Sequence, residues 1–199
     1  MNLLRGNISN LVKKLAIPAS VGTLFQTFYN IVDTYFAGMI SSEALAALSK
    51  SFPIYFIIIA TSIGVSVAGT SLIGNSIGEN NKKKIVYYFS HIIIYGIIIS
   101  LIITFLGLYY SEKVFYLMGS SEEVVKLGKQ YTDTIYYGSV IFISVVSLNS
   151  LLHAEGDTKT YRNVLIISFF LNIILNPIFI FGFLFIPALG VKGIAVATL

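Results

Sequence analysis

Long apolar runs separated by short polar connections dominate the hydrophobic pattern of this chain of 199 residues. A helix that crosses a bilayer needs about 20 mostly apolar residues, and several runs approach or reach that length without a charge. Uninterrupted runs of this kind differ from the alternating pattern of membrane β-barrel strands. The pattern therefore predicts an all-α membrane protein. The predicted helices cover about 15–37, 51–75, 88–110, 131–152, 162–186 and an incomplete sixth at 190–199.

The longest predicted connection, about 111–130, carries Glu122, Glu123, Lys126 and Lys129, which is typical of a short solvated surface helix. The first apolar stretch resembles a signal peptide only superficially, because polar residues interrupt it and longer apolar segments follow. We therefore expect the first helix to remain in the membrane.

Composition supports a lipid environment. The chain is 56% hydrophobic and 11% charged, whereas soluble domains carry about 25% charged residues. Disordered chains lack this apolar content. The chain has no cysteine, which excludes disulfides and thiolate metal sites. Its net charge of +4 is scattered and indicates membrane topology, with no sign of nucleic-acid binding.

The basic residues are distributed unequally between the two sides of the predicted membrane domain. One side carries eight of them and the other side carries five. Because cytoplasmic loops are enriched in Lys and Arg, the N-terminus is predicted to be cytoplasmic. The first set is Arg5, Lys13, Lys14, Lys82, Lys83, Lys84, Lys159 and Arg162, and the second is Lys50, Lys113, Lys126, Lys129 and Lys192.

Asp33 is the single carboxylate well inside a predicted span. A charge at the bilayer centre costs at least about 2.5–3.5 kcal/mol on insertion scales. Asp33 is therefore expected to face a polar cavity, a partner or a bound cation, unless it reaches water at the helix end. Gln26, Tyr29 and Asn30 lie seven, four and three residues before it, so the four are predicted to share one helix face. Such a stripe lines a cavity or forms a hydrogen-bonded helix seam.

A second polar pair, Asn172 and Asn176, lies four residues apart in the fifth predicted span, and Pro177 follows it. The proline leaves the Ile173 carbonyl without its helical donor. The pair is therefore expected either to bind a cation or exchange protons, or to pack against a neighbouring helix. Pro18 likewise has two interpretations, because proline is tolerated in a first turn but kinks a helix further along.

Few residues offer enzyme or metal chemistry. His91 and His153 lie near predicted helix ends without acidic clusters at ligand spacing, so neither is expected to bind a metal. An intramembrane enzyme needs a nucleophile with a base, or clustered ligands, at membrane depth. The spans have no cysteine and no second carboxylate, so we expect no enzymatic activity.

Four motifs, in order, resemble those of multidrug and toxic compound extrusion (MATE) transporters. They are IPA with QTFYNIVDT at 17–34, AEGDTKT at 154–160, LNIILNP at 171–177 and GVKGIAVAT at 190–198. The resemblance spans nearly the whole chain. It implies the six-helix N-terminal lobe of a transporter that has two such lobes, with the sixth helix truncated.

The resemblance also implies a function. Members export amphipathic, often cationic, organic compounds or drugs in exchange for protons or sodium ions, and need no cofactor beyond the coupling ion. It implies that Asp33 is the coupling carboxylate and that a sodium ion, if used, binds near it. Gln26, Tyr29 and Asn172 match polar positions of the same network, Thr198 matches a hydroxyl position near the ion, and Pro18 matches a proline tied to helix bending.

Two departures from the family pattern matter. The family commonly has aspartate where this chain has Asn176, so a site built on two carboxylates is not expected here. The chain ends inside the sixth helix, so transport is expected to need a C-terminal lobe or a second copy. Two alternatives stay open: a flippase for lipid-linked oligosaccharides, which would want a cationic cavity that the spans lack, and a non-transporting membrane scaffold.

Overall fold

Seven helices make up the described part of the chain. The computed structural model describes residues 7–199, so Arg5, one of the basic residues used to predict orientation, lies outside the described residues. The prediction of an all-α chain is confirmed for this range. The helices are α1 (Ile8–Ile40), α2 (Ser42–Gly78), α3 (Lys82–Leu117), α4 (Glu122–Tyr137), α5 (Ser139–Ala154), α6 (Lys159–Phe181) and α7 (Val191–Thr198).

The predicted count of six helices is therefore wrong by one, because the fourth predicted helix is interrupted at Gly138. The chain bends there by 44° between α4 and α5. A methyl group on Gly138 would lie 1.8 Å from a side-chain carbon of Leu199. The Leu199 side chain, which follows α7, therefore packs directly against the bend and would have to shift if residue 138 carried a methyl group.

The surface helix expected between the third and fourth spans is also a misassignment. Helix α3 continues to Leu117 and α4 begins at Glu122, so only 118–121 connect them. Val125 and Ile135 on α4 are almost fully buried. The charges on this helix therefore mark its outer face, while its other face packs into the bundle.

Four helices, α1, α2, α3 and α6, are long and apolar enough to cross a membrane, and the bent pair α4–α5 qualifies as a fifth span. Their exposed side chains are consistent with lipid contact, as on α3, where Leu101, Ile102 and Phe105 are each more than half exposed. Helix α7 has only eight residues.

The helices pack as two groups that meet at α4 and α7. Helix α2 contacts α3, α4 and α5, whereas α1 contacts mainly α6. Helix α7 lies against both α4 and α6. The shared core includes Ala37, Ile58, Phe115, Ile135 and Ile194, all at most 2% exposed. This arrangement brings the middle of α6 and the end of α7 against the second half of α1.

Pro18 lies in the interior of α1, because the helix begins ten residues earlier at Ile8. The first-turn interpretation of this proline is therefore wrong. Its ring leaves the Lys14 carbonyl without a helical donor and weakens the local ladder. Pro18 is buried, so this weak point lies against the bundle and away from lipid.

The AEGDTKT motif forms the turn between α5 and α6. Gly156 has a φ of 80°, a conformation that favours glycine. The carboxylate of Asp157 accepts hydrogen bonds from the Thr160 hydroxyl and from the backbone N–H groups of Lys159 and Thr160. These bonds, chiefly those from Thr160, hold the pKa of Asp157 below its ordinary value. The motif therefore begins α6 at a defined position.

The approach of α7 to the backbone of α6 is predicted to be sensitive to one methyl group. A Cβ on Gly193 would lie 2.5 Å from the Phe179 carbonyl oxygen. We expect Gly193→Ala to push α7 away from α6 and to cost about 1–3 kcal/mol of stability, as overpacking generally does. Thermal unfolding followed by far-UV circular dichroism measures the change.

Gly74→Ala is the matched control, because no atom lies within 4 Å of the position that its Cβ would take. Alanine is also the better helix former, so this variant should unfold at the parent's temperature or above it. Equal unfolding temperatures for Gly193→Ala and the parent would contradict close packing of α7.

Candidate functional site

Asp33 is buried where α1 meets α6, with 4% of its surface exposed. Asn172 and Asn176, one turn apart on α6, both point their amide groups at it. Each donates from Nδ2 to Oδ1 of Asp33, over 2.9 Å and 2.8 Å respectively. The two asparagines are 1% and 0% exposed. The two predicted polar groups therefore form one hydrogen-bonded cluster between α1 and α6.

Thr198 completes the contacts of the carboxylate from α7. Its hydroxyl lies 2.9 Å from Oδ2 of Asp33 and also 2.9 Å from the Ile194 carbonyl oxygen. A hydroxyl has one hydrogen to donate and two lone pairs that accept. Thr198 can therefore donate to the carboxylate, or turn that hydrogen to Ile194 and accept from a protonated Asp33.

Two oxygens in this cluster have no partner within the described residues. They are the Oδ1 atoms of Asn172 and Asn176, which are buried and accept no hydrogen bond. A buried acceptor without a partner costs about 1–3 kcal/mol. With the carboxylate of Asp33 and the hydroxyl of Thr198, these oxygens are the ligand type that hard cations prefer.

The α1 residues before Asp33 do not all join this cluster. The hydroxyl of Tyr29 donates to the Ala197 carbonyl over 3.1 Å and so ties α1 to α7. Gln26 is partly buried and forms no side-chain hydrogen bond with residues 7–199. Asn30 makes no contact with the carboxylate; it is exposed and lines an adjoining cleft together with Asp33.

Pro18 lies outside the site. It precedes Asp33 by 15 residues on a continuous helix, a distance of about 22 Å along the axis. Any influence of Pro18 on the site therefore has to pass through the shape of α1.

The cleft beside Asp33 has a volume of about 330 Å³ and contains residues that the sequence interpretation missed. The sequence pattern does not single out Tyr131, because the predicted connection 111–130 covers the first half of α4. It does not single out Tyr55, because the predicted second span is mostly apolar. The spacing of Val124, Tyr131 and Ile135 on α4 is the signal that indicates an inward face. The lining residues are Asn30, Asp33, Thr34, Leu48, Ser49, Phe52, Tyr55 and Tyr131.

The charge of Asp33 has no cationic partner in the described chain, since each salt bridge there involves a different carboxylate. The same residues contain no group of three His, Asp or Glu side chains able to hold a metal ion. His91 and His153 contact polar atoms of their own helices. Asp33 is therefore held by neutral donors alone.

Comparison with known proteins gives consistent matches. A family model described as MatE matches residues 18–178. The chain is 28% identical over 197 residues to the FAD transporter of Shewanella oneidensis, covering 99% of this chain and 44% of that protein. It is 30% identical over 186 residues to the probable multidrug resistance protein NorM of Thermotoga maritima, covering 94% and 40%. It thus spans less than half the length of these relatives.

Solved structures show the same similarity. An outward-facing conformation of a multidrug resistance MATE family transporter of the MOP superfamily superposes with a TM-score of 0.88 at 33% identity. The match covers 98% of this chain and 43% of the transporter.

Because neutral groups hold Asp33, two substitutions of this residue should change the unfolding temperature differently. In Asp33→Asn the new amide can accept from both asparagines and donate to Thr198, so we expect unfolding at or above the parent's temperature. In Asp33→Leu the amides of Asn172 and Asn176 lose their acceptor, at about 1–3 kcal/mol for each buried group left unpaired, whereas the Thr198 hydroxyl can still donate to Ile194. Thermal unfolding in detergent measures both, and an Asp33→Leu chain as stable as the parent would contradict this network.

Proposed function

The chain belongs to the MatE family of membrane transporters, and from this premise we propose that it works as one lobe of a secondary active exporter. The exporter expels amphipathic organic cations or drugs in exchange for protons or sodium ions. Relatives named as multidrug resistance proteins support drug efflux at the level of the family. The observation that carries the proposal for this chain is the buried carboxylate of Asp33, held by donors from two other helices.

In this proposal, Asp33 carries the coupling ion. A charged carboxylate at membrane depth is expensive, and a bound cation or proton removes that cost. When Oδ2 of Asp33 is protonated, the new O–H group donates a hydrogen bond to the hydroxyl oxygen of Thr198. The Thr198 hydroxyl then donates its own hydrogen to the Ile194 carbonyl. The neutral state therefore forms with the rotation of one hydroxyl. The loss of charge then weakens the hold of Asp33 on the amides of α6.

Sodium would require a larger rearrangement. Both asparagines present Nδ2 to Asp33, and their oxygens point elsewhere. Each amide would have to flip before its oxygen could coordinate an ion beside the carboxylate. The present orientation therefore favours a proton as the coupling ion, and a flip of Asn172 and Asn176 would be the signature of sodium.

The cleft supports a cationic or neutral amphipathic substrate. The carboxylate of Asp33 and the aromatic rings of Phe52 and Tyr55 contribute to its wall, and its lining includes no Lys or Arg. A flippase for lipid-linked oligosaccharides would need a cation there for phosphate. One relative is named as an FAD transporter, so a flavin nucleotide is the competing substrate class, and it too carries negative charge that this lining does not match.

Exposed polar residues on α1 support a second lobe. Thr27, Asn30 and Thr34 are exposed in the second half of α1 and line an adjoining groove. The hydroxyls of Thr27 and Thr34 bond carbonyls of their own helix, but lipid would leave the Asn30 amide without a partner. These residues fit an aqueous cleft between two lobes that rock against each other. The second lobe would be a C-terminal half or a second copy, and without it the chain would remain a non-transporting scaffold.

The proposed location is the plasma membrane, with the N-terminus in the cytoplasm. The excess of basic residues on the side of the α2–α3 and α5–α6 connections supports this orientation. In the same proposal the protein moves its substrates unchanged and has no enzymatic activity.

The coupling role predicts that Asp33→Asn abolishes efflux. Cells that make the intact protein containing this chain are loaded with the fluorescent cation ethidium, and its loss is followed over time. The variant should retain the dye as vector-only cells do, because a neutral amide cannot alternate between charged and protonated states. Efflux at the parent's rate would overturn the coupling role.

Asp133→Asn is the matched control for this experiment. Asp133 on α4 accepts from the Ser111 hydroxyl and lies 3.5 Å from the ammonium group of Lys129, away from the cluster around Asp33. Its variant should export ethidium as the parent does. The 199-residue chain made alone should not export the dye, because alternating access needs two lobes.

The identity of the coupling ion is predicted to depend on residue 176. In vesicles with imposed gradients, the parent should respond to a pH gradient and ignore sodium. Asn176→Asp places a second carboxylate beside Asp33 and should introduce a sodium-dependent component, since added oxygen charge favours the ion. A parent protein driven by sodium at constant pH would contradict proton coupling.

A further inference from the structure

The connection between α6 and α7 is a rigid hairpin with an apolar tip. Phe183 and Ile186 exchange two backbone hydrogen bonds of 3.0 Å and 2.9 Å. Leu184 and Phe185 form the tip and are 82% and 99% exposed. Hairpins with two-residue tips usually place Gly, Asn or Asp there, which makes an apolar tip unusual.

The backbone of Leu184, at the tip, has a strained conformation. Leu184 has a φ of 52°, a left-handed conformation that costs a residue with a Cβ about 1–2 kcal/mol. A glycine would adopt it freely. An apolar side chain therefore occupies this position at a cost in stability, which indicates that the side chain has a contact to make.

The base of the hairpin is fixed to the end of α6. The N–H groups of Leu189 and Gly190 donate to the carbonyls of Phe179 and Ile180 over 2.9 Å and 3.1 Å. Gly182 has a φ of 82°, and a Cβ there would lie 2.9 Å from the Ile186 carbonyl oxygen. The tip is thus held at a defined position relative to α6.

The depth of the tip follows from the length of α6. Arg162 is the last charged residue before a stretch, 163–191, that contains no charge. From 163 to Phe181 the helix has 19 residues, about 28 Å, which nearly matches the hydrocarbon thickness of about 30 Å. The hairpin therefore begins close to the level where the hydrocarbon ends, and Lys192, the next charge, lies on α7.

We propose that the hairpin tip, Leu184 and Phe185, inserts into the lipid leaflet on its side of the membrane and anchors α6 and α7 at a fixed depth. Its apolar surface continues that of α6, where Ile174 and Phe181 are more than half exposed. We proposed that the second lobe faces the cleft beside Asp33 and the adjoining groove. No residue from 182–190 lines either of them. Lipid, and not the other lobe, is thus the occupant that matches this surface.

The anchor has a consequence for the site. The hairpin joins α6, which carries Asn172 and Asn176, to α7, which carries Thr198. All three side chains that donate to Asp33 therefore lie on the two helices that the hairpin connects. The insertion itself does not depend on whether the protein transports, or on what it transports.

The experiment uses tryptophan fluorescence, because the chain has no native tryptophan. Phe185→Trp is purified as the full 199-residue chain and reconstituted into vesicles of phosphatidylcholine and phosphatidylglycerol whose acyl chains carry bromine. Ser121→Trp, in the exposed α3–α4 connection on the same side, is the matched control. Each variant is also titrated with aqueous iodide, and circular dichroism checks that its helices are intact.

We expect Phe185→Trp to emit at shorter wavelength than Ser121→Trp, to lose most of its emission in brominated vesicles and to resist iodide. The control should show the reverse pattern. Quenching of Phe185→Trp by iodide but not by brominated lipid would place the tip in water and overturn the proposal. Quenching by neither reagent would show that protein covers the tip, as in contact between two copies, and would overturn it equally.

Discussion

The burial of one carboxylate is the constraint on which the rest of this bundle depends. Asp33 is buried and no salt bridge within residues 7–199 involves it, so its oxygens must accept hydrogen bonds from neutral groups there. Those donors come from α6 and α7, more than 130 residues away in the sequence. The requirement thus determines where two later helices pack on the first one.

Helix α7 illustrates how closely packing and site are linked. Its described residues, Val191–Thr198, are held against α4 and α6. Gly193 lets its start approach the backbone of α6, and Gly138 leaves room for Leu199 at the bend between α4 and α5. The Thr198 hydroxyl, in the last turn of α7, lies within hydrogen-bond distance of Asp33.

The same network is suited to change with its charge. Thr198 can serve as donor or acceptor, and the amide oxygens of Asn172 and Asn176 accept no hydrogen bond from residues 7–199. A network in which every group is hydrogen-bonded in one charge state of Asp33 would resist a change of that charge. This network keeps free acceptors that can form hydrogen bonds in the other charge state. In our proposals α1, which has Pro18 in its interior, is the helix that changes shape, and the hairpin that joins α6 to α7 keeps those two helices at a fixed depth.

The sequence by itself determined the apolar helices, the membrane environment and the residue types at the centre of the site, because bilayer thickness and the cost of buried charge act on local composition. Asp33, Asn172 and Asn176 were recognisable from those rules and from the family motifs. Only the tertiary structure decided that both amides donate to the carboxylate, and that Asn30 and Tyr131 line one cleft with Asp33. These facts depend on helix rotation and on the bend at Gly138, which arise from contacts between residues far apart in the chain.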